Sequence, residues 1–151
     1  MKKLLLILTL FFVCSNAVAK DKYVGRGDLQ LHDIDIEYFM QYLSAPAGQS
    51  PMIFLIIAEN GKSIWSTYWY CPQGACRVVS KSEATKQCER DAEKYYKDNS
   101  NFECFIFAKK KVVVWDNGVN PGKSKTSSFN KKWDKSEVIE KFSELGFNLY
   151  N

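Results

Sequence analysis

The sequence predicts an α+β domain: a mostly antiparallel sheet of about four strands in two β-hairpins, a helix between the hairpins, terminal helices flanking it, and disulfides to stabilise it. Three observations carry that reading. An apolar run at residues 52–58 meets an aromatic and β-branched run at 62–70 across Glu59-Asn60-Gly61, and Asn-Gly is the signal of a tight hairpin turn. Ser80-Lys81-Ser82-Glu83 has capping-box spacing, and Ala84, Cys88, Ala92, Tyr95 and Tyr96 follow at helical intervals, which predicts a helix over 81–97. Cys71, Cys76, Cys88 and Cys104 form an even set downstream of an export leader, as in a disulfide framework.

The leader is residues 1–19. Lys2 and Lys3 precede an apolar run at 4–13, and Ala17-Val18-Ala19 places small residues at −3 and −1, so cleavage is expected between Ala19 and Lys20. About ten apolar residues fall short of the roughly 20 a membrane span needs. A lipid anchor at Cys14 wants a small residue before it, and Val13 stands there. Removing 19 of 151 residues leaves 132, which suits one domain over 20–151, periplasmic or secreted and without a transmembrane segment. Losing Lys2 and Lys3 lowers the formal charge from +4 to +2, too weak a field for a nucleic-acid binder.

Along the domain, residues 23–31 alternate as a short strand with Leu29 and Leu31 on one side. The phase then slips, so the element changes near His32 or Asp33. Asp33 is the expected cap of a helix whose core face holds Ile36, Phe39, Met40 and Leu43, with Asp35 and Glu37 favoured in its first turn by the dipole. Ala45-Pro46-Ala47-Gly48 ends it. The strand at 52–58 is apolar on both faces, which places it inside the sheet with cover on both sides. Residues 102–108 and 111–115 make the second hairpin across Lys109 and Lys110. Residues 116–132 are rich in Gly, Asn, Ser and Lys around Pro121, a long loop expected to be mobile unless functional. Asp134-Lys135-Ser136-Glu137 opens a closing helix with Val138, Ile139, Phe142 and Leu145 inside and Gly146 at its C-terminal end.

Four cysteines allow three connectivities. Cys88 on the buried helix face and Cys104 at the following strand favour one bond, worth roughly 3 kcal/mol for a loop of about 15 residues. Cys71 and Cys76 bracket Pro72-Gln73-Gly74-Ala75, which can turn the chain back, and the rival joins Cys71 to Cys104. Zinc is the other reading of four cysteines, but the spacings lack paired C-x-x-C knuckles. Ala84-x-x-x-Cys88, Cys104-Phe105-Ile106-Phe107-Ala108 and Val113-Val114-Trp115, with the Cys71 to Cys76 loop and Glu144-Leu145-Gly146-Phe147, resemble a module of small exported bacterial proteins. The shared motifs are structural cysteines and core positions, so the resemblance implies a disulfide-held fold and transfers no activity.

The functional candidates are few. Trp65 and Trp69 share one strand face and Tyr68 and Tyr70 the other; one face left open would stack on sugar rings or hold a peptide. Lys109, Lys110 and Lys111 at a hairpin tip, with Lys123, Lys125, Lys131 and Lys132, offer a basic patch for anionic envelope polymers or guard an edge. His32 is the only histidine, so a triad would have to use it, and Asp33-x-Asp35-x-Glu37 lacks the glycine and distal glutamate of a calcium loop. Arg26-Gly27-Asp28 matches an adhesion tripeptide too short to carry weight. The reading is a non-enzymatic binding or structural module of the envelope without cofactor or metal. Its ligand contacts are sought at Trp65, Tyr68, Trp69, Lys109 and Lys110, and its partner in an envelope glycan or protein. Thiol-disulfide exchange at Cys71 and Cys76 is the alternative, although redox pairs usually stand two residues apart at a helix N-terminus.

Overall fold

A computed structural model describes residues 20–72, 80–97 and 101–150. Residues 1–19, where the sequence pattern predicts a leader, and Cys76 lie outside the described residues. The elements run β1 (Gln30–His32), α1 (Asp33–Leu43), β2 (Gln49–Glu59), β3 (Lys62–Pro72), α2 (Lys81–Tyr96), β4 (Cys104–Lys109), β5 (Val112–Val113), α3 (Lys135–Glu144) and β6 (Asn148–Tyr150).

The α+β class holds, but the expected sheet does not. Instead of about four mostly antiparallel strands there are six in the order β5-β4-β2-β3-β1-β6, a mixed sheet curled into a half-barrel. β1 runs parallel to β3 and to β6, while the β2–β3, β2–β4 and β4–β5 pairs are antiparallel. The two strands missed or misplaced are three residues each, too short for alternation to register. Their parallel pairings join segments far apart in the chain, with α1 and β2 between β1 and β3 and most of the domain between β1 and β6. Three register shifts in β2 and its partners add local twist and help the sheet curl.

β2 fixes the layers. Ile53, Leu55 and Ile57 face α2 beside Ala84, Cys88, Ala92 and Ile106, and Phe54 and Ile56 face α1 and α3. The strand apolar on both faces is therefore covered on both, as expected. Asn60 and Gly61 both take positive φ, 51° and 74°, the backbone that a tight hairpin demands and that glycine adopts at no steric cost. On the α1 side the Phe39 ring lies 5.0–6.1 Å from Phe54, Phe107, Phe129 and Phe142, mostly edge to face. On the α2 side the small Ala84, Cys88 and Ala92 let the helix close on β4, and Cys88 is bonded to Cys104. Cys71 is buried and also disulfide-bonded.

Helix ends follow side-chain chemistry. His32, rather than the expected Asp33, caps α1: its Nδ1 accepts from the Ile34 N–H at 3.2 Å, and Asp35 accepts from the His32 N–H at 2.8 Å. Asp33 and Glu37 turn outward to Lys135 at 2.8 and 3.2 Å. Ser80 accepts from the Glu83 N–H, and Asp134 with Glu137 closes a full capping box on α3.

Residues 116–132 keep most of their side chains exposed but turn Asn120, Ser127 and Phe129 into the interior. The buried Asn120 amide donates to the Val113 and Trp115 carbonyls at 3.1 and 2.9 Å, and its oxygen accepts from Ser127 at 2.6 Å and Gly122 at 3.0 Å. Of the polar residues here, Asn120 and Ser127 serve internal hydrogen bonding, while Lys123, Lys125, Lys131 and Lys132 stay exposed. Trp115, held by this loop, packs flat against Gly25, where a Cβ would stand 2.0 Å from the indole. No described helix is long and apolar enough to cross a membrane.

Replacing Asn120 by Ala strands two carbonyls, a hydroxyl and an N–H, so urea unfolding should show a loss of roughly 2–3 kcal/mol. The pair Cys88→Ala and Cys104→Ala removes a link across a sequence separation of 16 and should cost about 3 kcal/mol in the same measurement, against no change on reduction if the bond were dispensable.

Candidate functional site

A parallel strand pair that separates early leaves an open edge, and that geometry makes the site. β1 meets β3 only at Gln30 and Lys62, then turns into α1, while β3 continues with β2 alone. From Ser63 onward the outer edge of β3 therefore needs partners. Two tyrosines supply them: Tyr96, at the end of α2, donates to the Ile64 carbonyl at 2.6 Å, and Tyr150, from β6, donates to the Ser63 carbonyl.

Between the parted elements lies a hollow of about 270 Å³. Its floor is β3 from Ser63 to Ser66. One wall is the first turns of α1, with Asp35 and Tyr38, and the other is Tyr95 and Tyr96 of α2. His32 and Tyr150, edge to face with centroids 5.3 Å apart, close the end. Ring contacts link Trp65 to Tyr95 at 4.8 Å and to Tyr96 at 6.0 Å.

Three properties set this hollow apart. Of the six large apolar side chains most exposed among the described residues, Ile34, Tyr38, Tyr95 and Tyr96 ring it, so its rim is where apolar surface stays in water. Four buried side-chain polar atoms have no hydrogen-bond partner among the described residues; one is Tyr42 Oη in the main core, and the other three, Ser63 Oγ, Trp65 Nε1 and Ser66 Oγ, belong to lining residues. Finally, Asp35 is only 3% exposed, and among the described residues no lysine or arginine forms an ion pair with it.

The phenols respond to this setting. Burial, then the neighbouring Tyr95 and the Asp35 carboxylate, raises the Tyr96 pKa, and burial, then Asp35 and Tyr96, raises that of Tyr150. Both stay protonated as donors to the β3 edge.

The candidates read from the sequence end in different places. Trp65 lines the hollow. Trp69 is half-buried under α2, and Tyr68, half-buried under α1, donates to Gln41 at 3.1 Å. Both faces of the aromatic strand are thus covered by helices. Lys109 lies 3.5 Å from Asp21, which also pairs with Lys81; these two cations hold the Asp21 carboxyl below its usual range, the Lys81 contact foremost. Lys110 stands exposed at the β4–β5 turn with φ 53°. Lys111 and Lys131 meet Phe129 and Trp133 around a second hollow of about 520 Å³. No three His, Cys, Asp or Glu side chains gather as metal ligands do among the described residues. Sequence reasoning missed Tyr38, Ser63, Ser66 and Tyr150, and read Tyr95 and Tyr96 as core. The available signal was two adjacent tyrosines at the end of a helix that can bury only one stripe.

No protein-family model, curated protein or solved structure matches the chain.

Raised phenol pKa values carry a sign. The unfolded chain releases these protons first, near pH 10, so the fold has its full strength below that and loses stability as pH rises through the folded values. Tyr150→Phe should cost roughly 1 kcal/mol at neutral pH and then lose less than wild type above pH 10; parallel declines in denaturant midpoint would remove Tyr150 from the account.

Proposed function

We propose that the chain is an exported, non-enzymatic binding module of the bacterial envelope, and that it takes its partner at the hollow between β1 and β3. The observation that carries this is the coincidence, in one place, of an exposed aromatic rim with buried polar atoms that lack partners. Exposed rings offer contact area at small entropic cost, and unmet donors and acceptors favour whatever satisfies them.

Export is supported by the leader pattern at 1–19 and by the Cys88–Cys104 disulfide, a bond that belongs to oxidising compartments. The resemblance to small exported bacterial proteins points the same way. Against catalysis stands the occupation of His32 and Asp35, the residues best suited to proton transfer, in capping α1. The thiol-exchange alternative at Cys71 and Cys76 has against it the burial of Cys71 at the end of β3.

Retention on washed envelope fractions tests the reading. Wild-type protein should be held, and Tyr38→Ala and Tyr95→Ala, both at exposed positions, should each weaken retention about tenfold, or ~1.4 kcal/mol, without lowering thermal stability. Lys110→Ala should leave it unchanged. Loss of retention with Lys110→Ala alone would move the site to the β4–β5 turn, and retention unchanged by all three would end the proposal.

A further inference from the structure

Resting on that reading, we infer that the ligand of the β1/β3 hollow is a single uncharged, polyhydroxylated ring, a saccharide unit. The size comes first. Small-molecule pockets run from about 300 to 1,000 Å³, and about 270 Å³ holds one ring with its substituents rather than a folded peptide.

Charge comes second. Among the described residues no lysine or arginine lines the hollow, and Lys62 lies outside it, its Nζ 5.0 Å from the Tyr150 ring centroid. The charged group inside is the Asp35 carboxylate. One of its oxygens, Oδ2, accepts from the His32 N–H, and among the described residues no hydrogen bond engages Oδ1. A phosphate or carboxylate ligand would meet that negative charge with nothing to offset it.

Hydrogen-bond chemistry decides between the remaining classes. An organic ammonium suits a carboxylate among aromatic rings, but it carries no acceptor, and Trp65 Nε1 is a donor and nothing else. Leaving that N–H unmet forfeits what the hollow offers. A sugar hydroxyl both donates and accepts, so one ring seated at the β3 edge can answer the Ser63 and Ser66 hydroxyls and the free side of Asp35 on the α1 side and the indole N–H on the α2 side. Meanwhile the apolar face of the ring has the tyrosines of the rim to stack on. These three atoms are closed off from bulk solvent, so a ligand reaches them only with a shift of the lining side chains.

The partnerless atoms also make the test discriminating. A buried hydroxyl without a partner contributes nothing to folding, so Ser66→Ala should leave stability unchanged or raise it, whereas a hydroxyl that holds a ligand is missed on binding. Two-dimensional amide and indole NMR of the mature protein would follow titration, into the high millimolar range, with methyl glycosides of glucose, galactose and N-acetylglucosamine, and separately with tetramethylammonium and inorganic phosphate. Expected are saturable shifts of the Trp65 indole and the Ser63 to Ser66 amides with at least one glycoside. Binding should be about tenfold weaker in Ser66→Ala, with an unfolding midpoint no lower than wild type, and in Trp65→Phe, whose midpoint is measured alongside because the indole packs toward α2. Saturable binding of tetramethylammonium or phosphate at these signals, with none of the glycosides, overturns the inference, as does glycoside binding indifferent to both substitutions. If no glycoside binds while envelope retention still depends on Tyr38 and Tyr95, the saccharide assignment falls and the binding-module reading stands. If that dependence is absent too, both fall.

Discussion

A strand that is apolar on both faces is stable only between two covers, and β2 imposes that requirement on everything around it. Phe54 and Ile56 call for α1 and α3; Ile53, Leu55 and Ile57 call for α2. A domain of this size has few helices to supply two layers. On one side the small stripe of Ala84, Cys88 and Ala92 brings a single helix close enough to suffice, and the disulfide to Cys104 keeps it there. On the other, two short helices leave gaps, which Trp115, Phe129 and the Asn120-centred loop fill. The loop is thus a third piece of cover.

The hollow is a by-product of the same arrangement. β1 parts from β3 after Gln30, staying paired with β6 through His32, so that α1 can cross over β2 and β3, and this parting exposes the β3 edge just where Trp65 turns toward α2. An unprotected strand edge invites pairing with other chains. Here the edge is met by Tyr96 and Tyr150, whose hydroxyls replace ladder donors and whose rings close the space. The tyrosines that protect the edge, Tyr96 and Tyr150, line the same hollow as Tyr38 and Tyr95, where binding is proposed. Stability and binding are therefore separable only at residues that do one job, Tyr38, Tyr95 and Ser66 among them.

Much of this was legible in the sequence for simple reasons. The β2–β3 hairpin, α2, α3 and the Cys88–Cys104 bond each rest on interactions within a few tens of residues, and Asn60-Gly61, Ser80 and Asp134 signal them directly. What escaped depends on pairings across the whole chain. β6 has three residues and no period of its own; it is a strand because Leu31 and its neighbours are there to pair with. The capping of α1 by His32 was hidden because Asp33, with the better propensity, stands beside it. The loop at 116–132 reads as solvated because composition cannot show that Asn120 turns inward. Of the site, Trp65 was found through its strand, but its companions come from α1, α2 and β6, and only the fold brings them together.

The hydrogen bond from Tyr150 to Ser63 spans 87 residues of sequence. In kinetic terms it belongs to the slowest class of contact, because a chain must lose the entropy of a very long loop before such a bond repays anything. The hairpin and α2 can form early and locally; the end of the hollow cannot. The hollow is thereby completed only with the sheet, so a partially folded chain has its hydrophobic layers before it has the end wall that His32 and Tyr150 make.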